Sequence, residues 1–206
     1  MSERPASPAE MLALAEQQQK HAERHLAGRP GLLPGAWGLA WLLAFGELYL
    51  TVGPDPVIPV PTPIPLVLFF GILACAGVAT GVHFARTTRG LRGPGPTGGA
   101  MHGWTWTLGF LCLGAMAGAM AKLGIPPEAY ALLWSAGAGL LTGVLFMSGA
   151  ALAADPRQYL IGGWILLVNA IGAFAGIPGH YLVMSLGCGG GLLLLALVSS
   201  MRRRRA

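Results

Sequence analysis

The sequence predicts an all-α fold: a polytopic integral membrane bundle of six transmembrane helices behind a short N-terminal cytoplasmic helix. Three observations support this prediction. The 206 residues are 54% hydrophobic and only 10% charged, whereas soluble domains carry about 25% charged residues. The charged residues are confined to a few short segments. The apolar runs between those segments are about 20 residues long, which is enough for a helix to cross a bilayer.

The N-terminal region, 1–30, is polar and predicts a short amphipathic helix on the cytoplasmic side. Ser7 is a candidate N-cap, Pro8 suits the first helical position, and Glu10 completes a capping-box pattern. The apolar residues that follow at helical spacing form only a weak face. The helix is therefore expected on the membrane surface, against a partner, or in solvent. Because a long polar segment precedes the first apolar run, we expect no cleavable signal peptide.

The transmembrane domain is predicted over 31–200 and the basic tail over 201–206. The expected spans are Leu32–Val52, Pro65–Ala85, Met101–Ala121, Ala129–Ala153, Gln158–Gly176 and His180–Ser200. The link GPDPVIPVPTPIP between the first two spans favours an extended, polyproline-like chain. GPGPTGG, before the third span, predicts a flexible connection. The remaining links are short, so consecutive spans should form antiparallel hairpins, and Asp155 should cap the fifth span ahead of Pro156.

The basic residues predict the orientation. With the N-terminus in the cytoplasm, twelve of the thirteen basic residues fall on the cytoplasmic side and only Lys122 falls outside, as the positive-inside rule requires. Both termini are thus expected to be cytoplasmic. The abundance of Arg, Gly and Ala is typical of GC-rich bacteria, which places the protein in a bacterial cytoplasmic membrane. The Arg-rich tail is interpreted as a stop-transfer signal that also binds anionic lipid, or as a docking segment. The positive charge does not indicate nucleic-acid binding.

Two patterns bear on helix packing. The sequences GAW, HGW and GGW end at Trp37, Trp104 and Trp164, and each opens a predicted hairpin. They indicate either three repeated hairpins or ordinary interfacial tryptophans. Five spans also contain Gly-xxx-Gly pairs, which favour close helix crossing, with helix sliding or self-association as alternatives. These pairs are Gly77/Gly81, Gly114/Gly118, Gly139/Gly143, Gly172/Gly176 and Gly187/Gly191.

Two polar residues within the spans are the strongest candidates for a function, because a polar group in hydrocarbon is costly. Glu47, in AFGELYLTV, lies about 8 Å below the outer end of the first span. It is an anchor, a structural partner of Lys122, or a proton or cation site. Asn169 is the deepest strongly polar residue and is either hydrogen-bonded to Thr142 as structural support or part of a polar path.

The remaining residues predict no cofactor, no metal site and no catalytic site. Cys75, Cys112 and Cys188 fall near the middle of their spans but form no C-x-x-C motif. His180 is expected at the outer surface, and no facing histidine pair suggests haem. A P-loop, an H-E-x-x-H motif, a G-x-S-x-G motif and a pair of carboxylates within the bundle are all missing from the sequence. Enzymatic activity is therefore disfavoured.

The stretches PGAWGLAWLLAFGELYL and ADPRQYLIGGWILLVNAIGAFAGIPGHYLVM resemble a group of small six-span proteins of high-GC bacteria, which are uncharacterised or described as transporters. The resemblance implies an integral membrane protein and brings no substrate or site residue. The predicted function is a small transporter or the membrane subunit of one, with Glu47, Asn169 and Lys122 as transport candidates. The alternative is a membrane sensor or scaffold that signals through the N-terminal helix. The expected partners are the bilayer and either a second copy or a separate protein.

Overall fold

The computed structural model describes residues 7–14, 17, 31–61, 63–87 and 95–205, and these ranges contain helices and no β-strand. The helices are α1 (Leu32–Thr51), α2 (Pro63–Thr87), α3 (Gly95–Lys122), α4 (Pro127–Ala153), α5 (Pro156–Val183), a π-helical segment (Met184–Gly190) and α6 (Gly191–Arg205). The prediction of an all-α fold is confirmed.

The N-terminal capping box forms as predicted. The backbone N–H of Ser7 donates to the Glu10 carboxylate over 2.7 Å, and the Glu10 N–H donates to the Ser7 hydroxyl over 3.2 Å. These hydrogen bonds hold the pKa of Glu10 below its ordinary value, because they stabilise the ionised carboxylate. Most of the remaining N-terminal region lies outside the described residues, as do the basic residues Lys20, Arg24, Arg29, Arg89 and Arg92.

Five helical stretches in the described part of the chain are long and apolar enough to cross a membrane. They are Leu32–Thr51, Pro63–His83, Gly98–Lys122, Pro127–Ala153 and Pro156–Arg202. The fold is therefore a helical membrane bundle in contact with lipid. The fifth stretch, at 47 residues, is more than twice the length that a bilayer requires.

The fifth stretch is broken at Gly176 and Ile177, whose backbone angles are non-helical and which precede a cis peptide bond to Pro178. The chain reverses there. A Cβ placed on Gly172 would lie 2.8 Å from His180 Nδ1, and the two residues flank the break. We call residues 156–175 segment five and residues 178–205 segment six. They form an antiparallel hairpin close to the position that the sequence predicts.

The helices pack side by side in the order α2, α1, segment six, segment five, α4, α3. The core lies at the centre of this row, between α1 and the last hairpin. Its buried side chains are Trp41, Phe45, Leu48, Ile165, Val168, Tyr181, Met184 and Cys188. Within the described residues α2 packs mainly on α1, and α3 packs mainly on α4. The two end helices therefore expose most of their apolar surface.

The observed helix ends test the smaller predictions. Asp155 caps α5, since its carboxylate accepts from the backbone N–H groups of Arg157 (2.9 Å) and Gln158 (3.2 Å). The proline-rich link is non-helical where it is described, at 52–61. The prediction for GPGPTGG is wrong at its C-terminal end, because α3 begins at Gly95, six residues before Met101. Pro96 lies in the first turn of α3, where its missing N–H costs no helical hydrogen bond.

Candidate functional site

The last turns of α1 hold a carboxylate that is only partly satisfied. Glu47 is half-buried, and its Oε2 accepts a 3.3 Å hydrogen bond from the hydroxyl of Thr51. That hydroxyl also donates to the Glu47 carbonyl oxygen over 2.7 Å, a bond typical of threonine at this spacing. Oε1 is buried and has no hydrogen-bond partner among the described residues. From segment six, Tyr181 lies close enough for its phenol to interact electrostatically with the carboxylate.

The structure does not form the expected pair between Glu47 and Lys122. Lys122 is exposed at the C-terminal end of α3. In the helix row, segment six, segment five and α4 lie between α3 and α1, the helix that carries Glu47. The sequence indicates correctly that both residues lie at helix ends, but it carries no information on which helices are neighbours. We use the name distal end for the end of the bundle at which α1, α3 and segment five have their C-termini. Lys122 remains a transport candidate only through its position there.

Asn169 of segment five is buried against α4. Its Nδ2 donates to the carbonyl oxygen of Ala136 over 2.9 Å. The predicted hydrogen bond between Asn169 and Thr142 is wrong, because the α4 residue that faces the Asn169 amide is Gly139. A Cβ on Gly139 would lie 2.6 Å from the Asn169 Cγ. Oδ1 of Asn169 is buried and has no partner among the described residues.

His180 is the residue that the sequence places wrongly. It is expected at the outer surface, yet the structure leaves it 0% exposed. Only Gly176 and Ile177 depart from helical geometry at the hairpin, so the first turn of segment six already packs on segment five at Gly172. Neither ring nitrogen of His180 has a hydrogen-bond partner in the described part of the chain. The short link GIPG is the sequence feature from which this burial could have been inferred.

The polar atoms without partners lie towards the distal end. In the described residues the buried ones are on Glu47, Ser135, Asn169 and His180. At 1.5 Å per helical residue, they lie about 6, 12, 9 and 3 Å from the distal ends of their helices. A bilayer core is about 30 Å thick, so all four fall within one half of a membrane-sized bundle. These four residues, which we call the polar cluster, are Glu47, Ser135, Asn169 and His180; they share this depth, belong to four different helical segments, and their unpartnered atoms form no hydrogen bonds to one another.

The charge of the polar cluster favours cations. Glu47 is its only acid, and the Asn169 Oδ1 atom that is left free is an acceptor as well. The basic residues with described side chains, Arg86, Lys122, Arg157 and Arg202, are all exposed. Because no fixed positive charge among them reaches the interior, an anion would meet only repulsion from Glu47, whereas a cation would be attracted.

A seven-residue π-helical segment, Met184–Gly190, continues inward from the polar cluster. The Ser185 hydroxyl donates to the Leu42 carbonyl oxygen over 2.8 Å, and the Trp164 indole N–H donates to the Gly187 carbonyl oxygen over 2.9 Å. Single turns of π-helix are uncommon and are frequent at functional sites. Hydropathy does not report the hydrogen-bond register of a helix, so the sequence did not indicate this segment.

The cysteines do not converge. Cys75 and Cys112 are exposed on α2 and α3, whereas Cys188 is buried in segment six. Across the described residues no group of three or more His, Cys, Asp or Glu side chains is arranged to hold a metal ion.

Comparison with known proteins finds no family model that matches the chain, no curated protein that matches it and no solved structure that matches it. The resemblance to six-span proteins of high-GC bacteria thus stays a prediction, and the polar cluster is the feature of the molecule from which a function can be inferred.

Proposed function

We propose that this protein is a small transporter, or the membrane subunit of one, that moves a proton or another cation across the bacterial cytoplasmic membrane. The observation that carries the proposal is the pair of buried, unpartnered oxygens Glu47 Oε1 and Asn169 Oδ1. Buried polar atoms in proteins are nearly always hydrogen-bonded, and polar groups at membrane depth mark ion and proton pathways. Carboxylate and amide oxygens are also the ligands that hard cations prefer.

The topology that we propose has six spans and two cytoplasmic termini. Segment five has 20 residues and segment six has 28, which correspond to about 30 and 42 Å of helix and suffice for one crossing each. An even number of crossings leaves the twelve basic residues on the cytoplasmic side. The distal end then faces outward, with Glu47 in the outer half of the membrane and Lys122 at the outer end of α3.

We also propose that the bundle consists of three repeated hairpins. Each hairpin packs against itself, α1 on α2, α3 on α4 and segment five on segment six. In the first and last hairpins a tryptophan joins the two helices: Trp37 donates to the Thr80 hydroxyl over 2.9 Å, and Trp164 donates to the Gly187 carbonyl oxygen. Trp104 of the middle hairpin is exposed instead.

Flux through reconstituted protein tests the transport proposal. Purified protein in liposomes, with a negative interior potential set by potassium and valinomycin, is assayed for uptake of protons, sodium and methylammonium. We expect uptake of at least one of these cations, and a reduction of about tenfold, equivalent to 1.4 kcal/mol, in Glu47→Gln and in Asn169→Ala. Glu128→Gln is the matched control, because Glu128 is an exposed acid in the first turn of α4, also at the distal end.

Two results would contradict the proposal. One is wild-type flux in both Glu47→Gln and Asn169→Ala with unchanged folding by circular dichroism, which removes both residues from the path. The other is uptake of all three cations at the rate of protein-free liposomes.

A sensor or scaffold is the second candidate function, and one observation favours it. Met11, Leu12 and Leu14 of the N-terminal helix are each more than half exposed, at 59%, 63% and 57%, so this helix offers apolar side chains for a membrane surface or a protein. Deletion of residues 1–28 separates the two functions. A scaffold loses its partner in a cross-linking experiment, whereas a transporter retains its flux.

A further inference from the structure

The imidazole of His180 carries two buried polar atoms, and neither has a hydrogen-bond partner among the described residues. One nitrogen of a neutral imidazole is a donor and the other is an acceptor. Both nitrogens are buried, and the side chain is 0% exposed. By contrast, Asn169 satisfies one of its two polar atoms and Glu47 satisfies one of its two oxygens. The polar group closest to the ring is the backbone of Gly172, and no side chain among the described residues forms a hydrogen bond with either nitrogen.

The packing around His180 limits what can bind there. A methyl carbon on Gly172 would lie 2.8 Å from Nδ1 and 3.4 Å from Cε1 of the imidazole, and 3.3 Å from a methyl group of Val183. Contacts this short show that the ring lies directly on the backbone of segment five, with no room for another carbon on that side. The one ligand of imidazole that occupies no appreciable volume is the proton.

The charges around His180 suit a proton as well. Tyr181 of segment six is the titratable side chain whose ring lies beside that of His180, with the two rings centred 6.3 Å apart, and Glu47 of α1 interacts electrostatically with Tyr181. Segment five contributes Gly172, which does not titrate. A protonated His180 and an ionised Glu47 sum to zero charge, and a buried charge with a counter-charge costs far less than an isolated one.

We infer that His180 is a proton-binding site of the transport path and that the cation carried is the proton, with Glu47 as its counter-charge. This inference rests on the transport proposal and narrows it. A proton that enters from the distal end binds the lone pair of one imidazole nitrogen, and its release restores the neutral ring. No other bond forms or breaks. His180 and Glu47 together carry no net charge when the proton is bound and one negative charge after it is released.

Proton uptake into pyranine-loaded liposomes tests the inference directly. Under a negative interior potential, the wild type is expected to acidify the interior at least tenfold faster than protein-free liposomes. His180→Gln should lose at least nine-tenths of this rate. His102→Gln is the matched control: His102 lies near the opposite end of the bundle, and its Nε2 already accepts a 3.0 Å hydrogen bond from the Trp106 indole. Its rate should stay within twofold of the wild type.

A second measurement does not depend on whether His180→Gln folds. In a variant whose four other histidines are Gln, ¹⁵N NMR of the single remaining imidazole should show a change from the protonated to the neutral ring between pH 5 and pH 8. Adding Glu47→Gln should decrease the protonated fraction at pH 5, because the counter-charge is lost.

The outcomes separate the inference from the proposal that it narrows. An imidazole that keeps one protonation state from pH 5 to pH 8, or a His180→Gln protein that acidifies the liposomes at the wild-type rate, overturns the inference. Sodium or methylammonium flux that is sensitive to Glu47→Gln, without proton flux, also overturns it but leaves the transport proposal standing. Flux that is insensitive to Glu47→Gln and Asn169→Ala removes the transport proposal itself.

Discussion

At the scale of single residues, the contact between Asn169 and Gly139 is one of the points at which segment five approaches α4 closely. The amide occupies the space that a side chain at position 139 would need: a Cβ there would lie 2.6 Å from the Asn169 Cγ and closer still to Oδ1. The same geometry brings Nδ2 to the Ala136 carbonyl oxygen. Asn169 therefore supports the fold through one atom, Nδ2, and leaves the other, Oδ1, without a partner among the described residues for the proposed role in transport.

Gly139→Ala should separate these helices and destabilise the protein by about 1 to 3 kcal/mol, the usual cost of overpacking. Gly163→Ala is the control, because Gly163 has no atom within 4 Å of its Cβ position. There we expect no loss, or a gain of up to about 1 kcal/mol from helix propensity. Unfolding by SDS in mixed micelles measures both changes. Equal stability of the two variants would show that the close approach at Gly139 is not required.

The candidate residues could be predicted only in part from the sequence. Glu47 and Asn169 stand out because polar residues are rare within apolar runs. Their partners do not follow, since hydropathy reports neither the rotation of a helix about its axis nor the identity of its neighbours. Counting residues from the span ends correctly places Glu47 near the end of α1 but wrongly predicts that His180 is exposed. The link GIPG is so short that side chains are buried almost to the end of the hairpin.

At the scale of helices, the π-helical segment is where segment six approaches α1 most closely. A Cβ on Gly189 would lie 2.5 Å from the backbone nitrogen of Leu42 and 3.0 Å from the carbonyl oxygen of Gly38. Both are backbone atoms, which cannot rotate away as a side chain can. Glu47 lies five residues from Leu42 and His180 lies nine residues from Gly189, about one and a half and two and a half turns, so the crossing limits how far α1 and segment six can move apart near these two residues.

Gly189→Ala should consequently cost about 3 kcal/mol or more, at the upper end of overpacking penalties, and should also reduce flux. The next residue gives a matched control, because Gly190 has no atom within 4 Å of its Cβ position. Gly190→Ala should retain wild-type stability in the same SDS titration. A Gly190→Ala protein as unstable as Gly189→Ala would mean that the segment requires glycine for its backbone conformation, not for the contact with α1.

Hydropathy predicts the helices well where polarity changes sharply at their ends. The boundaries of α1 and α4 agree with the predicted spans to within two residues. The start of α3 is missed because GPGPTGG contains the residues of a flexible linker, although Pro96 is compatible with the first turn of a helix. The break at Gly176 is predicted because Gly and Pro occur together at the end of an apolar run.

At the scale of the whole molecule, the open row of helices shows why sequence alone cannot give the arrangement. Each hairpin follows from a short link, but the order of the hairpins does not. The last hairpin lies between the first and the second, so the polar cluster forms between segments distant in sequence, such as α1 and segment six. The end helices α2 and α3 remain largely exposed, which suits surfaces that face lipid.

The number and direction of the crossings are the properties of the whole chain on which the mechanism depends, because the direction decides whether Glu47 faces outward and the number decides on which side the C-terminus lies. Thiol accessibility in intact cells measures it, on a background in which Cys75, Cys112 and Cys188 are Ala. We expect a membrane-impermeant maleimide to label Asp55→Cys and Leu123→Cys, which lie in the links at the distal end. Ala154→Cys and Ala206→Cys should be labelled only after permeabilisation, because twelve of the thirteen basic residues hold that side in the cytoplasm.

Labelling of Ala206→Cys in intact cells would mean an odd number of crossings. Segments five and six would then make a single crossing. That result would contradict their antiparallel packing, which brings the chain back to the end of the bundle at which segment five begins. Labelling of Ala154→Cys together with Ala206→Cys, and protection of the other two, would instead indicate an inverted protein. Glu47 and His180 would then lie in the cytoplasmic half of the membrane, and the proton would bind His180 from the cytoplasm.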